Sequence, residues 1–175
     1  MLETLAPNYS IWLLPDEVQT VVFNNIIRNI CDHHQSAFFH PHLTLFGDLP
    51  IADTAQCISS INTLRFPEVI SLKVRDVCCC KGYFLSLFIQ FDLPENLIRL
   101  RQILQSNFAW TDQGFIFPHL SLAYDWQGCI EKLAYQEKLK SQFVGTTINF
   151  TELALVKSSK TIAIHEWEIL YTIDL

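Results

Sequence analysis

No stretch of this chain is apolar enough to read as a membrane span: no hydrophobic run reaches the ~20 residues a transmembrane helix needs. Positive charge is scarce. Twelve Lys and Arg stand against eighteen Asp and Glu, a formal net charge of −6, whereas a protein that tracks a long polynucleotide needs a basic face. A small anionic ligand remains compatible, because a few local donors suffice for one phosphate. Cysteines at zinc-binding spacing are missing too. Cys78, Cys79 and Cys80 are consecutive, not arranged as Cys-x₂₋₄-Cys. The residues Met1 to Ser10 carry the acidic Glu3 and no basic run, so no signal peptide is expected and the cytoplasm is the expected location. Without a secretory signal, the six cysteines read as reduced thiols and not as a disulfide framework. No linker and no low-complexity tract breaks the chain.

Half of the residues are hydrophobic and only 17% are charged, which describes one well-packed domain over residues 1–175. Within it a five-residue pattern occurs twice: Pro41-His42-Leu43-Thr44-Leu45 and Pro118-His119-Leu120-Ser121-Leu122. Side chains of a strand alternate between faces. His42 and Thr44 therefore share one face and Leu43 and Leu45 the other, and His119 and Ser121 repeat the arrangement.

The repetition extends beyond the motif. Ser10 to Leu14 reads as a strand before Pro15-Asp16-Glu17, and Tyr83 to Phe91 as a strand before Pro94-Glu95-Asn96. Proline followed by acids starts helices, since proline is tolerated in the first turn and acids complement the helix dipole. A helical stripe follows each start, Val18, Val21, Val22, Ile26, Ile27 and Ile30 in the first case and Leu97, Leu100, Ile103 and Leu104 in the second. Ala37 to Phe46 and Phe115 to Tyr124 are the motif strands. Helices are expected around Ala52 to Leu64 and Cys129 to Phe143, and strands around Val69 to Val77 and Thr147 to Val156. Ile162 to Ile173 reads as a closing strand. The order implies an internal duplication: an α+β fold of two pseudo-symmetric lobes, with two mostly antiparallel sheets facing a central cleft and helices outside.

An imidazole and a hydroxyl on each motif strand give a cleft two proton-transfer groups and two hydroxyl donors. Opening a cyclic phosphodiester needs water deprotonated on one side of phosphorus and the leaving oxygen protonated on the other. Two histidines can do both near neutral pH, because an unperturbed imidazole titrates near ~6.5. Thr44 and Ser121 can hydrogen-bond the non-bridging oxygens. Sequence symmetry leaves the roles of base and acid open between His42 and His119. Trp12 alternates with Ile11 and Leu13 and offers a flat face for a base or ribose. His33 and His34 read as part of a polar loop from Cys31 to Ser36, His40 as satisfied or exposed, and His165 and Lys157 as surface residues.

These motifs resemble the paired His-x-[Thr/Ser]-x signatures of the 2H phosphoesterase superfamily. The opening Tyr9-Ser10-Ile11-Trp12-Leu13-Leu14-Pro15-Asp16-Glu17, the extended Pro118-His119-Leu120-Ser121-Leu122-Ala123-Tyr124, Leu153-Ala154-Leu155-Val156-Lys157 and the strand with Trp167 resemble its plant and yeast cyclic phosphodiesterases. The resemblance covers essentially the whole chain. It implies a duplicated α+β pair of lobes that opens ADP-ribose 1″,2″-cyclic phosphate and nucleoside 2′,3′-cyclic phosphates with no metal or organic cofactor. It also implies that Tyr124 supplies a hydroxyl to the phosphate, which by strand alternation requires a turn after Ser121. A monomer acting on a small cyclic nucleotide is expected, with no membrane partner and no stable nucleic-acid complex. The alternatives are an RNA 2′,3′-cyclic phosphodiesterase of the 2′-5′ RNA ligase-like branch and a non-catalytic module that binds nucleotides or RNA ends. The intact histidine and hydroxyl pairs favour an enzyme.

Overall fold

The computed structural model describes residues 9–66, 69–108 and 117–175; the expectations for residues 1–8 and for Phe115 lie outside them. The first half runs β1 (Tyr9–Pro15), α1 (Glu17–His34), β2 (Leu43–Leu49), α2 (Thr54–Thr63) and β3 (Ile70–Cys79). The second repeats the order with β4 (Leu87–Phe91), α3 (Glu95–Phe108), β5 (His119–Ala123), α4 (Cys129–Phe143) and β6 (Thr147–Lys157). A 3-10 turn (Ile164–Glu166) and β7 (Glu168–Asp174) follow.

Local chemistry explains the helix starts. The Asp16 carboxylate accepts the Gln19 amide at 2.8 Å, and Asp53 accepts that of Gln56 at 3.0 Å, so each satisfies an otherwise orphaned N–H. At its other end α1 runs through the expected polar loop and stops at Gln35, whose φ of 53° is left-handed. His33 and His34 thus belong to the last helical turn. The buried face of α1 also differs from the expected stripe. Phe23, Ile27, Ile30 and Cys31 are buried, while Val18 is 74% exposed.

Among the described residues every strand pairing is antiparallel. The α+β class holds, but the two expected sheets are continuous. The seven strands lie in the order β1-β2-β5-β4-β3-β6-β7, and β1 also pairs with β6, so six of them close on themselves and β7 extends β6. Two features make the join. β6 is long enough to pair with β3 through Thr147–Phe150 and with β7 through residues 152–157. β2 and β5 meet at one pair, Leu43 with Leu120.

One sheet face carries Ile11, Leu13, Leu43, Leu45, Ile89, Phe91, Leu120, Leu122, Leu153 and Leu155, buried with helical residues such as Phe23, Ile61, Leu97, Leu100 and Leu139. Fully burying one such side chain contributes roughly 1.5–3 kcal/mol. The opposite face carries a separate small cluster of Trp12, Ala154 and Val156 with Trp167 and Ile169 against it. The helices therefore cover one face and leave the other to form the cleft. Arg101 of α3 is buried in the main layer, donates to the Leu45 carbonyl and lies 4.6 Å from the Phe46 ring centroid, fixing β2 from behind.

Three strand boundaries depart from expectation. β2 starts at Leu43 and not at Ala37, because Pro41 has no N–H to give a ladder. β4 starts at Leu87, which leaves Tyr83 and Phe84 in a turn. The closing segment breaks at Ile164–Glu166, where the Glu166 amide donates to the Ala163 carbonyl. His165 there is exposed, as are His40 and Lys157.

Candidate active site

The pairing of Leu43 with Leu120 sets the relation of the two motifs. Carried one residue each way, this antiparallel register faces His42 with Ser121 and Thr44 with His119, at Cα separations near ~5 Å. By strand alternation all four side chains belong to the face opposite the buried leucines. Each histidine thus stands across from the hydroxyl of the other motif.

The two motifs share a hydrogen-bond pattern. His42 donates Nδ1–H to the carbonyl of His40 at 2.7 Å, and His119 donates Nδ1–H to the carbonyl of Phe117 at 3.1 Å. Each ring is held by the carbonyl two residues back. A carbonyl only accepts, so this bond fixes the neutral tautomer and leaves Nε2 with its lone pair.

The environments are less symmetric. His42 is 5% exposed and His119 half-buried. Burial pulls the pKa of His42 down to about 3, against the bond to His40, and the neighbouring His119 adds to the fall. Burial lowers His119 as well. Without a ligand burial favours the neutral form of both rings.

Trp12 belongs to the cleft face, but its ring lies on His42 and not open to a base. The centroids are 3.6 Å apart, the planes are within 9°, and the indole is 3% exposed. Trp167 packs edge-on against both rings, at 5.7 Å from Trp12 and 6.2 Å from His42. On the other strand, Phe88 and Phe117 stand 5.7 and 5.4 Å from His119. Thr44 is half-buried and Ser121 buried; the Ser121 hydroxyl donates to the Phe84 carbonyl at 3.1 Å.

Tyr124 follows the end of β5 and precedes a turn. β5 ends at Ala123, and Asp125 takes a left-handed φ of 47°. Tyr124 is buried, with Ser121 as a side-chain hydrogen-bond partner, and burial pushes its pKa up. Phe39 stacks on it at 4.1 Å, while Phe84 and Trp167 meet it edge-on at 5.3 and 5.9 Å. Beside it opens a cavity of about 400 Å³ lined by Tyr83, Phe84 and residues 160–164, with Lys160 among them. Phe39, Tyr83, Phe84 and Phe88 were not legible as site residues. Their only signal was an aromatic next to a turn, which core packing produces equally well.

The family model described as cyclic phosphodiesterase-like protein matches residues 8–175. No curated protein matches the chain significantly by sequence. Among solved structures, E. coli LigT complexed with phosphate superposes with a TM-score of 0.60 at 18% identity, covering 97% of this chain and 98% of that one. E. coli LigT complexed with 3′-AMP gives 0.58 at 18% identity, covering 98% of each chain. The protein TT0787 of Thermus thermophilus gives 0.59 at 15% identity, covering 96% of this chain and 97% of that one. The chain has the LigT-like fold.

Proposed function

This chain belongs to the cyclic phosphodiesterase-like family, and we propose that it hydrolyses small cyclic phosphodiesters in the cleft between its two motif strands. The substrate class is ADP-ribose 1″,2″-cyclic phosphate and nucleoside 2′,3′-cyclic phosphates. The observation that supports this reading is the pairing of Leu43 with Leu120, since strand alternation from that pair gives one face two imidazoles and two hydroxyls, each histidine opposite the other motif's hydroxyl. The phosphate and 3′-AMP complexes of LigT support it, since they are complexes of that fold with groups of this size.

In the proposed reaction a cyclic phosphate lies between His42 and His119. One Nε2 accepts a proton from water as the water oxygen bonds to phosphorus. The bond from phosphorus to one ring ester oxygen breaks, and the other imidazolium gives that oxygen its proton. The product is a phosphomonoester beside a free hydroxyl. One histidine has gained a proton and the other has lost one. Thr44, Ser121 and Tyr124 donate hydrogen bonds to the non-bridging oxygens, where charge accumulates. Trp12 holds His42 by stacking and does not contact the base; the open cavity by Tyr83 and Phe84 takes the rest of the nucleotide. The anionic substrate favours the required imidazolium, which takes its proton from solvent, because the substrate's charge raises the pKa of imidazoles that burial has lowered.

The test is a turnover assay on ADP-ribose cyclic phosphate, the four nucleoside 2′,3′-cyclic phosphates and an oligonucleotide ending in a cyclic phosphate. Hydrolysis of the small substrates, cut at least ~10²-fold in His42→Ala and in His119→Ala, is the expected result. Binding without turnover of any of them would show a nucleotide-binding module instead.

A further inference from the structure

Outside the cleft, the last turn of α1 and the first turn of α4 bring His33, His34 and Glu131 together. Each offers one ligand atom, and the three atoms lie within 4.8 Å of one another. His33 Nε2 is 3.9 Å from Glu131 Oε2, too long for a hydrogen bond. His34 lies against Trp126, with 4.0 Å between ring centroids. Its Nε2 is buried without a hydrogen-bond partner among the described residues. A polar atom buried in that way is costly, because it has given up water and gained nothing.

We propose that His33, His34 and Glu131 form a surface site for one divalent transition-metal ion of the zinc type, which clamps α1 to α4. Two imidazoles and a carboxylate suit zinc and its neighbours, which accept three protein ligands and complete their shell with water. Calcium and magnesium prefer all-oxygen shells and are disfavoured. At metal–ligand bonds near 2.0–2.2 Å, tetrahedral donors sit roughly 3.3–3.6 Å apart. The three atoms must therefore close by about 1 Å. His33 and Glu131 can supply that movement, since their side chains are 59% and 62% exposed. The C-terminus of α1 attracts a cation; the N-terminus of α4 repels it, and the Glu131 charge offsets this. The frame is already set one turn along, where the Tyr135 hydroxyl of α4 donates to Asn29 of α1 at 2.8 Å.

The ion would join a helix of the first half to a helix of the second, at the head of the segment leading to His42. It takes no part in the hydrolysis. The experiment is a calorimetric titration of zinc chloride into the full chain, stripped of metal and with thiols reduced. Expected is one ion per chain with a Kd of about 10 µM or tighter. Binding should weaken at least ~tenfold in His33→Ala, His34→Ala and Glu131→Gln and persist in the His42→Ala/His119→Ala double variant. Bound zinc should also raise the melting temperature of the wild-type chain. Glu131 is exposed, so Glu131→Gln keeps the fold and decides the matter if His34→Ala does not. Absence of binding, binding untouched by all three substitutions, or binding lost with His42 and His119 would each overturn the site.

Discussion

Trp12 lies flat on His42, with 3.6 Å between ring centroids and 9° between planes. The contact seals one face of an imidazole whose other neighbours are Phe39 and Trp167. A ring so enclosed cannot rotate freely, and its charged form loses hydration.

The first prediction follows from that seal. Trp12→Ala should let water reach His42 and raise its pKa from about 3 toward the ordinary 6.5. It should also cut kcat by ~10²-fold or more while changing KM less, because an imidazole out of place damages chemistry more than binding. Trp12→Phe keeps a flat ring and should retain most of both properties. Titration of the His42 ring by NMR, alongside steady-state kinetics, checks this; an unmoved His42 pKa in Trp12→Ala would refute it.

Stability should depend on pH through the same group. The folded pKa of His42 lies below its unfolded value, so the unfolded chain binds the extra proton first. The stability held by neutral His42 is complete above pH 6.5 and is lost as pH falls toward 3. The loss should amount to several kcal/mol, on the order set by a fully buried group. His42→Gln, measured by urea unfolding at steps between pH 7 and 4, should show a flatter decline than the wild-type chain. Parallel declines would place the acid sensitivity elsewhere.

Removing either histidine should cost ~10²–10⁴-fold in kcat, the usual size of one general acid or base. Thr44→Ala and Ser121→Ala should each cost about 1.5–3 kcal/mol of transition-state binding, or roughly 10–150-fold in kcat/KM. EDTA should leave turnover unchanged, since no step is assigned to a metal. Loss of activity in EDTA, restored by a divalent ion, would exclude the two-histidine mechanism.

In the free enzyme both imidazoles are pulled below 6.5, so the singly protonated pair exists at acid pH. The maximum of kcat/KM should lie below pH 6.5 and fall as pH rises. The kcat profile should extend to higher pH, because bound phosphate favours the imidazolium. Few phosphates are contacted, so salt should matter little and small cyclic nucleotides should be preferred. A steep salt dependence with faster turnover of oligonucleotides would point to an RNA-processing enzyme.

Much of this was legible from short-range pattern. Residues two apart on a strand share a face, so His42 with Thr44 and His119 with Ser121 could be paired without coordinates. The proline-acid starts at Pro15 and Pro94 marked the first helix of each half, α1 and α3. The misread segments share a cause: their boundaries depend on neighbours far away in sequence. α1 ends at His34 and not at Ile30 because burial of Cys31 rewards the extra turn. Tyr83 and Phe84 fall in the turn before β4, which periodicity does not record.

The α+β class and the sharing of strand faces by His42 with Thr44 and by His119 with Ser121 could be read from the chain alone, because period and turn chemistry act over a few residues. Long-range packing alone fixes that β2 and β5 touch at Leu43 and Leu120, that Trp12 stacks on His42, and that His42 is held far more strongly in its neutral form than a solvated imidazole. Those outcomes come from contacts between residues as distant as Trp12 and Trp167. Desolvation depends on everything that surrounds a group, so no local pattern can report it.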